Sequence, residues 1–325
     1  MKELNALYLE VWPDLTEDEQ KRNFQQIIRY FVSPLSEIQD LKPVERHFKN
    51  ERFRVWEVVI DGLRYVFVPG KRDFLESYDW DSFCENNQLL FALDNHFNQA
   101  QADKFFKYAS YYTIQKKHDP QQVSIDPFLV SVDAIPVSGQ SVGYYDLYDG
   151  RQIIDSKIEM TYRNELTELF KTRQDTPHFF LQEDSLEKVA KVFKKSCLQP
   201  GQLMENFAKR GVDFISADEY YYLKSGGMMT FFPWGDVLDP ATVDRLYYVP
   251  NRFGIKIKKD DNNYLLTDNP FRYLEGPVSQ KGRLTKYVKY ASFFDSGFVP
   301  DFDYFKEPID NWQMEYRPVI RIKID

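Results

Sequence analysis

Residues 214–227 read Phe214-Ile215-Ser216-Ala217-Asp218-Glu219-Tyr220-Tyr221-Tyr222-Leu223-Lys224-Ser225-Gly226-Gly227, followed by Phe232-Pro233-Trp234-Gly235-Asp236 and Asn251-Arg252-Phe253-Gly254-Ile255. Ser216 with Glu219 three residues later is a capping box, in which each side chain satisfies a backbone N–H that the first helical turn leaves open. The spacing predicts a short helix that buries Tyr220 and Leu223 and stops at Gly226-Gly227, where positive φ carries no steric cost. Trp234 and Phe253 then read as large plugs of a core, with Gly235 and Gly254 permitting tight turns beside them.

Upstream, Thr16 and Glu19 repeat the capping-box spacing ahead of Phe24, Ile27, Ile28, Phe31 and Val32, an apolar stripe of helical period that ends at Ser33-Pro34. Val55–Ile60 and Leu63–Val68 flank Asp61-Gly62, the dipeptide that favours a type I′ turn, so a β-hairpin is expected. A helix is expected around Gln99–Tyr108 and a strand over Ile125–Val132. Asp184 with Glu187, ahead of Leu186, Val189, Ala190 and Phe193, predicts another helix, closed off by Pro200-Gly201. The alternation in Val319–Ile324 predicts a half-buried closing strand.

Strands and helices do not alternate as in a doubly wound sheet, and long Gly/Pro/Asn/Asp-rich stretches such as 226–285 separate them. The expected class is therefore an irregular, loop-rich α+β fold. With no internal repeat and no linker-like segment, one domain over residues 55–325, preceded by a helical extension over 1–54, is preferred to two domains.

Composition narrows function. The chain has 325 residues and a net charge of −8, with no long basic block to track a phosphate backbone, so nucleic acid is not an expected partner. Aromatic residues make up 17%, which implies a core of large flat side chains whose hydroxyl and indole groups need partners. No run of 18 apolar residues and no signal-peptide pattern is present, and Cys84 and Cys197 lie far apart, so a cytoplasmic protein away from membranes is expected. Between Asn251 and Tyr290, nine Lys and Arg face four Asp and Glu, a local basic surplus that would suit an acidic partner.

Motifs for chemistry are sparse. His47, His96, His118 and His178 are scattered without metal-ligand spacing, and neither cysteine sits in an activating setting. Asp260-Asp261-Asn262-Asn263 has calcium-like composition, but Leu265 stands where a calcium loop needs glycine. No P-loop, dinucleotide fingerprint or nucleophile elbow occurs.

Taken together, the 214–255 cluster resembles the formylglycine-generating enzyme family, the sulfatase-modifying factors, whose members carry a capped aromatic helix, Gly-Gly, Tyr-Pro-Trp-Gly and Asn-x-Phe-Gly-Leu in that order. Tyr65–Gly70 is similar to the family's opening strand and turn, Val123–Phe128 with Pro136-Val137-Ser138 to its second strand, and Val319–Ile324 to its closing strand. The resemblance implies a fold related to C-type lectins. Family enzymes that oxidise cysteine hold copper with two cysteines near the C-terminal end; here that region reads Lys286-Tyr287-Val288-Lys289-Tyr290-Ala291-Ser292-Phe293-Phe294, without a soft ligand. The family's calcium turn is altered as well, with Leu265 in place of its glutamate, and the first 60 residues are too short for the helical bundle that supplies histidine ligands in iron-dependent relatives.

The expectation is therefore a non-catalytic member, without copper, iron or calcium, that binds a peptide, glycan or protein ligand. Its expected binding residues are Tyr221, Trp234, Asp236, Asn251, Arg252, Ser292 and Arg317. The competing expectation is a metal-dependent oxidoreductase of the same family with altered ligands.

Overall fold

A computed structural model describes residues 4–48, 51–75, 81, 83–87, 100, 103–104, 107, 122–184, 189–195, 200–237, 250–255, 263–269, 272–276, 290–294 and 314–323. They form a mixed α+β structure with several sheets and few helices. By contacts, the chain divides into two compact units. The first comprises residues 1–134, 204–301 and 316–325, and the second residues 135–203 and 302–315.

In the first unit, two short 3-10 helices, Leu4–Leu7 and Trp12–Asp14, precede helix α1 (Glu17–Phe31), which is capped as expected: the Glu19 N–H bonds to Thr16 Oγ1, and the Thr16 N–H donates to Glu19 Oε2 at 2.9 Å. Strands β1 (Ile38–Phe48), β2 (Glu51–Ile60) and β3 (Leu63–Val68) follow as an antiparallel meander. The expected hairpin is present, with Asp61 and Gly62 both at positive φ, the geometry that matches the turn to the twist of its strands. The boundary drawn between residues 54 and 55 falls inside β2, because β1 pairs along β2 on both sides of it. A two-stranded ribbon, β4 (Lys71–Leu75) with β5 (Gln122–Ile125), precedes β6 (Phe128–Ser131).

The second unit holds β7 (Ile135–Pro136), β8 (Gly139–Asp146), β9 (Gln152–Ile154), helix α2 (Ser156–Thr172), β10 (Phe179–Asp184) and β11 (Val189–Lys195). Its sheet runs in the order β10-β11-β8-β9, and α2 packs on it through Leu166 and Leu169 against Val142, Phe179 and Val192. The helix expected from Asp184 is replaced by the β10–β11 pair. Apolar residues at 189, 190 and 193 satisfy a helical period, but β-branched Val189 and Val192 pair with β8 and β10 on both edges, and Phe180 stacks on Phe193 at 5.0 Å. Pro200 does not close that region either. It starts α3 (Pro200–Ala208), where its missing N–H is one that a first helical turn leaves unpaired in any case.

Strand β12 (Asp213–Phe214) leads into α4 (Ala217–Ser225), then β13 (Tyr264–Leu266), β14 (Tyr273–Glu275), β15 (Met314–Tyr316) and β16 (Pro318–Arg321). The main sheet of the first unit has the order β1-β2-β3-β6-β16-β12. Both its faces are covered, which is why β6 is buried along its whole length. Alternate residues feed two cores: Val66, Val68, Phe128, Val130 and Val319 join the aromatic cluster around α4, whereas Tyr65, Phe67, Leu129 and Ile320 join the cluster under α1. The closing strand, expected to be half-buried, is thus buried on both faces through Ile320. Of the helix expected over 99–108, residues 100, 103, 104 and 107 are described, and these are helical.

Candidate functional site

Helix α4 is the anchor of the region singled out in the sequence. The Ser216 N–H donates to Glu219 Oε2 at 2.7 Å, and the same carboxylate accepts from Arg321 at 2.6 and 2.9 Å, so the cap is also a bridge to β16. Asp213 and Asp268 complete an acidic socket around Arg321. Burial works against the Arg321 charge, but Glu219, Asp213 and Asp268 outweigh it and raise its pKa. Gly226 ends the helix at φ 64°, its N–H bonding to the carbonyls of Leu223 and Tyr222.

The seven expected binding residues fall into three places. Tyr221, Trp234, Asp236 and Ser292 gather around Phe231–Phe232. The Phe231 N–H donates to Asp236 Oδ1 at 2.8 Å, the Ser292 N–H donates to the Phe231 carbonyl at 2.7 Å, Trp234 stacks on Phe232 at 4.8 Å, and Tyr221 lies 5.9 Å from Phe293. Tyr221, Trp234 and Ser292 are buried and Asp236 half-buried. Buried Asn251 ties a turn to the end of α4: its Nδ2 donates to the Leu223 carbonyl at 2.6 Å, and its Oδ1 accepts the N–H groups of Phe253 and Ile255. Arg317 stands apart, donating through Nη1 to the carbonyls of Ser131 and Val132. Arg252, on the turn that Asn251 holds, is the one of the seven that lines a described cavity.

That cavity, about 370 Å³, lies in the first unit. Its apolar lining comes from Leu9, Trp12, Val55, Phe67, Pro69 and Phe253, and its polar lining includes Gln20, Glu45, Arg52, Arg54 and Arg252. Buried Gln20 is already committed, donating to the Trp12 carbonyl at 2.9 Å and accepting from Trp56 Nε1 at 3.1 Å. Arg52 and Arg54 share Glu45 at 2.8 and 3.0 Å, and Arg54 also reaches Glu17 at 3.3 Å. Desolvation opposes the Glu45 charge, but these two arginines prevail and hold its carboxyl below the usual range. Arg252 differs: half-buried, it rests 4.8 Å over the Phe53 ring with no hydrogen bond or ion pair among the described residues.

The sequence did not mark the wall opposite Arg252. Leu9, Trp12 and Phe67 belong to separate segments with no common spacing, and only the ladder of β2 with β3 and the bonding of residues 7–9 to Gly70 place them together. Arg252 itself was marked twice in the sequence, among the expected binding residues and within the local basic surplus.

For metal chemistry, no three His, Cys, Asp or Glu side chains converge among the described residues in a way that could hold an ion. Tyr290–Phe294, part of the region that the resemblance sets against the copper-binding cysteines, offer no thiol or imidazole. Burial pushes the Cys84 thiol up to about 11, which suits neither a ligand nor a nucleophile at neutral pH. The described residues do not fit a copper centre. His96, His118, Cys197 and Asp260–Asn262 lie outside them.

Comparison with family models, curated proteins and solved structures finds no match to this chain. No helix of the described residues is long and apolar enough to cross a membrane.

Proposed function

We propose that this chain is a non-catalytic binding protein built on a sulfatase-modifying-factor-like, C-type-lectin-like fold, and that it takes its peptide, glycan or protein ligand in the cavity between α1, β2 and the Asn251–Ile255 turn. The observation that carries the reading is the state of Arg252. A guanidinium held over an aromatic ring, beside an apolar hollow and without an acidic partner among the described residues, is arranged to receive an anion from outside. Its neighbours Arg52 and Arg54 are neutralised within the protein, so the contrast lies between residues of one cavity.

The ordered motifs of residues 64–70, 123–138, 214–255 and 319–324 support the family reading. A cytoplasmic location fits two distant cysteines.

Titration with 8-anilinonaphthalene-1-sulfonate, an apolar anion, tests the site. The dye should bind folded protein stoichiometrically, and Arg252→Gln should weaken it while leaving the thermal melt unchanged; binding indifferent to Arg252 would count against the cavity. Metal analysis of purified protein tests the non-catalytic half. Stoichiometric copper or iron would favour the oxidoreductase instead.

A further inference from the structure

The ladder around the cavity carries one inference further, resting on the binding role just proposed. β3 accompanies β2 only as far as the Glu57↔Val66 pair, whereas β1 continues alongside β2 to Phe48↔Glu51. Residues Phe53–Val55 therefore have a described ladder neighbour on the β1 side alone, and the cavity occupies the space where β2 and β3 part, between Val55 and Phe67. A strand with one side open can pair with an extended chain through main-chain hydrogen bonds.

We infer that the occupant is the C-terminal end of an extended peptide whose last side chain is apolar, with its terminal carboxylate on Arg252. Three features select this chemistry. The run of β2 without a described neighbour on that side suits a peptide backbone better than a compact solute. Arg252, the cation of the described lining without an ion pair among the described residues, matches a single negative charge, since a phosphate dianion or an acidic run would call on Arg52 and Arg54, which Glu45 and Glu17 already occupy. A hollow of about 370 Å³, walled by Trp12, Phe67 and Phe253, lies at the small end of ligand pockets (about 300–1,000 Å³), enough for a terminal side chain but not for a folded domain.

The test is a pooled library of acetylated tetrapeptides ending in Leu, Ile, Val or Phe, made once with free C-termini and once as C-terminal amides, and presented to the full chain. Free acids should bind about tenfold or more tightly than their amides, the factor expected for losing one charge-assisted pair. Arg252→Gln should abolish that preference and Arg252→Lys restore part of it. Acids and amides that bind alike, or a preference that survives Arg252→Gln, overturn the inference. If neither pool is retained while the sulfonate dye still binds through Arg252, the peptide assignment fails and the binding role stands. If dye and peptides both fail to bind, both readings fall.

Discussion

Lys224 lies in the last turn of α4, where a cation is ordinarily solvated and complements the helix dipole. Here it is fully buried, its Nζ 2.5 Å from Glu275 Oε1 and 5.7 Å from the Phe294 ring centre, and Tyr220 donates to the same carboxylate oxygen at 2.8 Å. Two charges withdrawn from water stabilise a fold only while each compensates the other. Lys224→Met should therefore cost about 3–5 kcal/mol, because it strands a buried carboxylate, and adding Glu275→Gln should recover a substantial part of that loss. Urea denaturation of the two variants measures it; a single substitution costing less than about 1 kcal/mol would contradict the account. Arg252 is the counterpart: also a cation beside an aromatic ring, but half-buried and without an ion pair among the described residues.

At the scale of elements, the capping boxes were legible because they are local chemistry. Thr16 and Ser216 each accept the N–H three residues on, and the glutamate at that position returns the bond. Alanine at either should cost about 1 kcal/mol by denaturant titration. The Ser216 variant should lose more, since Glu219 is also the clamp on Arg321; equal losses would mean that the clamp does not depend on the cap. The β10–β11 pair was not legible, because a short apolar run satisfies both a helical and an extended period and only a neighbouring strand decides between them. Helix α2 was missed although Ile158, Tyr162, Leu166 and Leu169 follow a helical stripe and Asp155 caps it, accepting from the N–H groups of Lys157 and Ile158. That signal was available in the residues themselves.

Across the whole molecule, carboxylates set the response to acid. Thr16 holds Glu19 below its ordinary value of 4.5, and the Arg151 backbone N–H holds Asp149 below 3.8. Desolvation opposes the charges of Glu45 and Glu165, but hydrogen bonds from Arg52 and Arg54 to the first, and from Thr176 and His178 to the second, prevail and lower both. A carboxyl with a lowered folded pKa releases its proton more readily folded than unfolded, so its stabilisation is complete above the unfolded value and lost as pH falls through the folded one. Asp268 opposes them: burial raises its carboxyl, a contribution present at low pH and lost as pH rises through the raised value. With four groups against one among the described residues, melting temperature should fall progressively once pH drops below about 4.5. Melting curves between pH 6 and 3 that stay flat or rise would show that these bonds do not carry acid stability.

Sequence by itself determined what depends on neighbours along the chain: the two capped helices, the Asp61-Gly62 turn, the Gly226 stop and the aromatic richness of the core. Those features arise from bonds and torsions that span a few residues, which the order of side chains specifies directly. Only the tertiary structure decided that β6 and β16 are buried on both faces, that Lys224 finds Glu275, that Asn251 serves the end of α4, and that β2 and β3 part to leave a hollow under Arg252. Each joins segments tens or hundreds of residues apart, and whether a polar group is spent inside the fold or left for a ligand depends on which distant partner the packing brings to it.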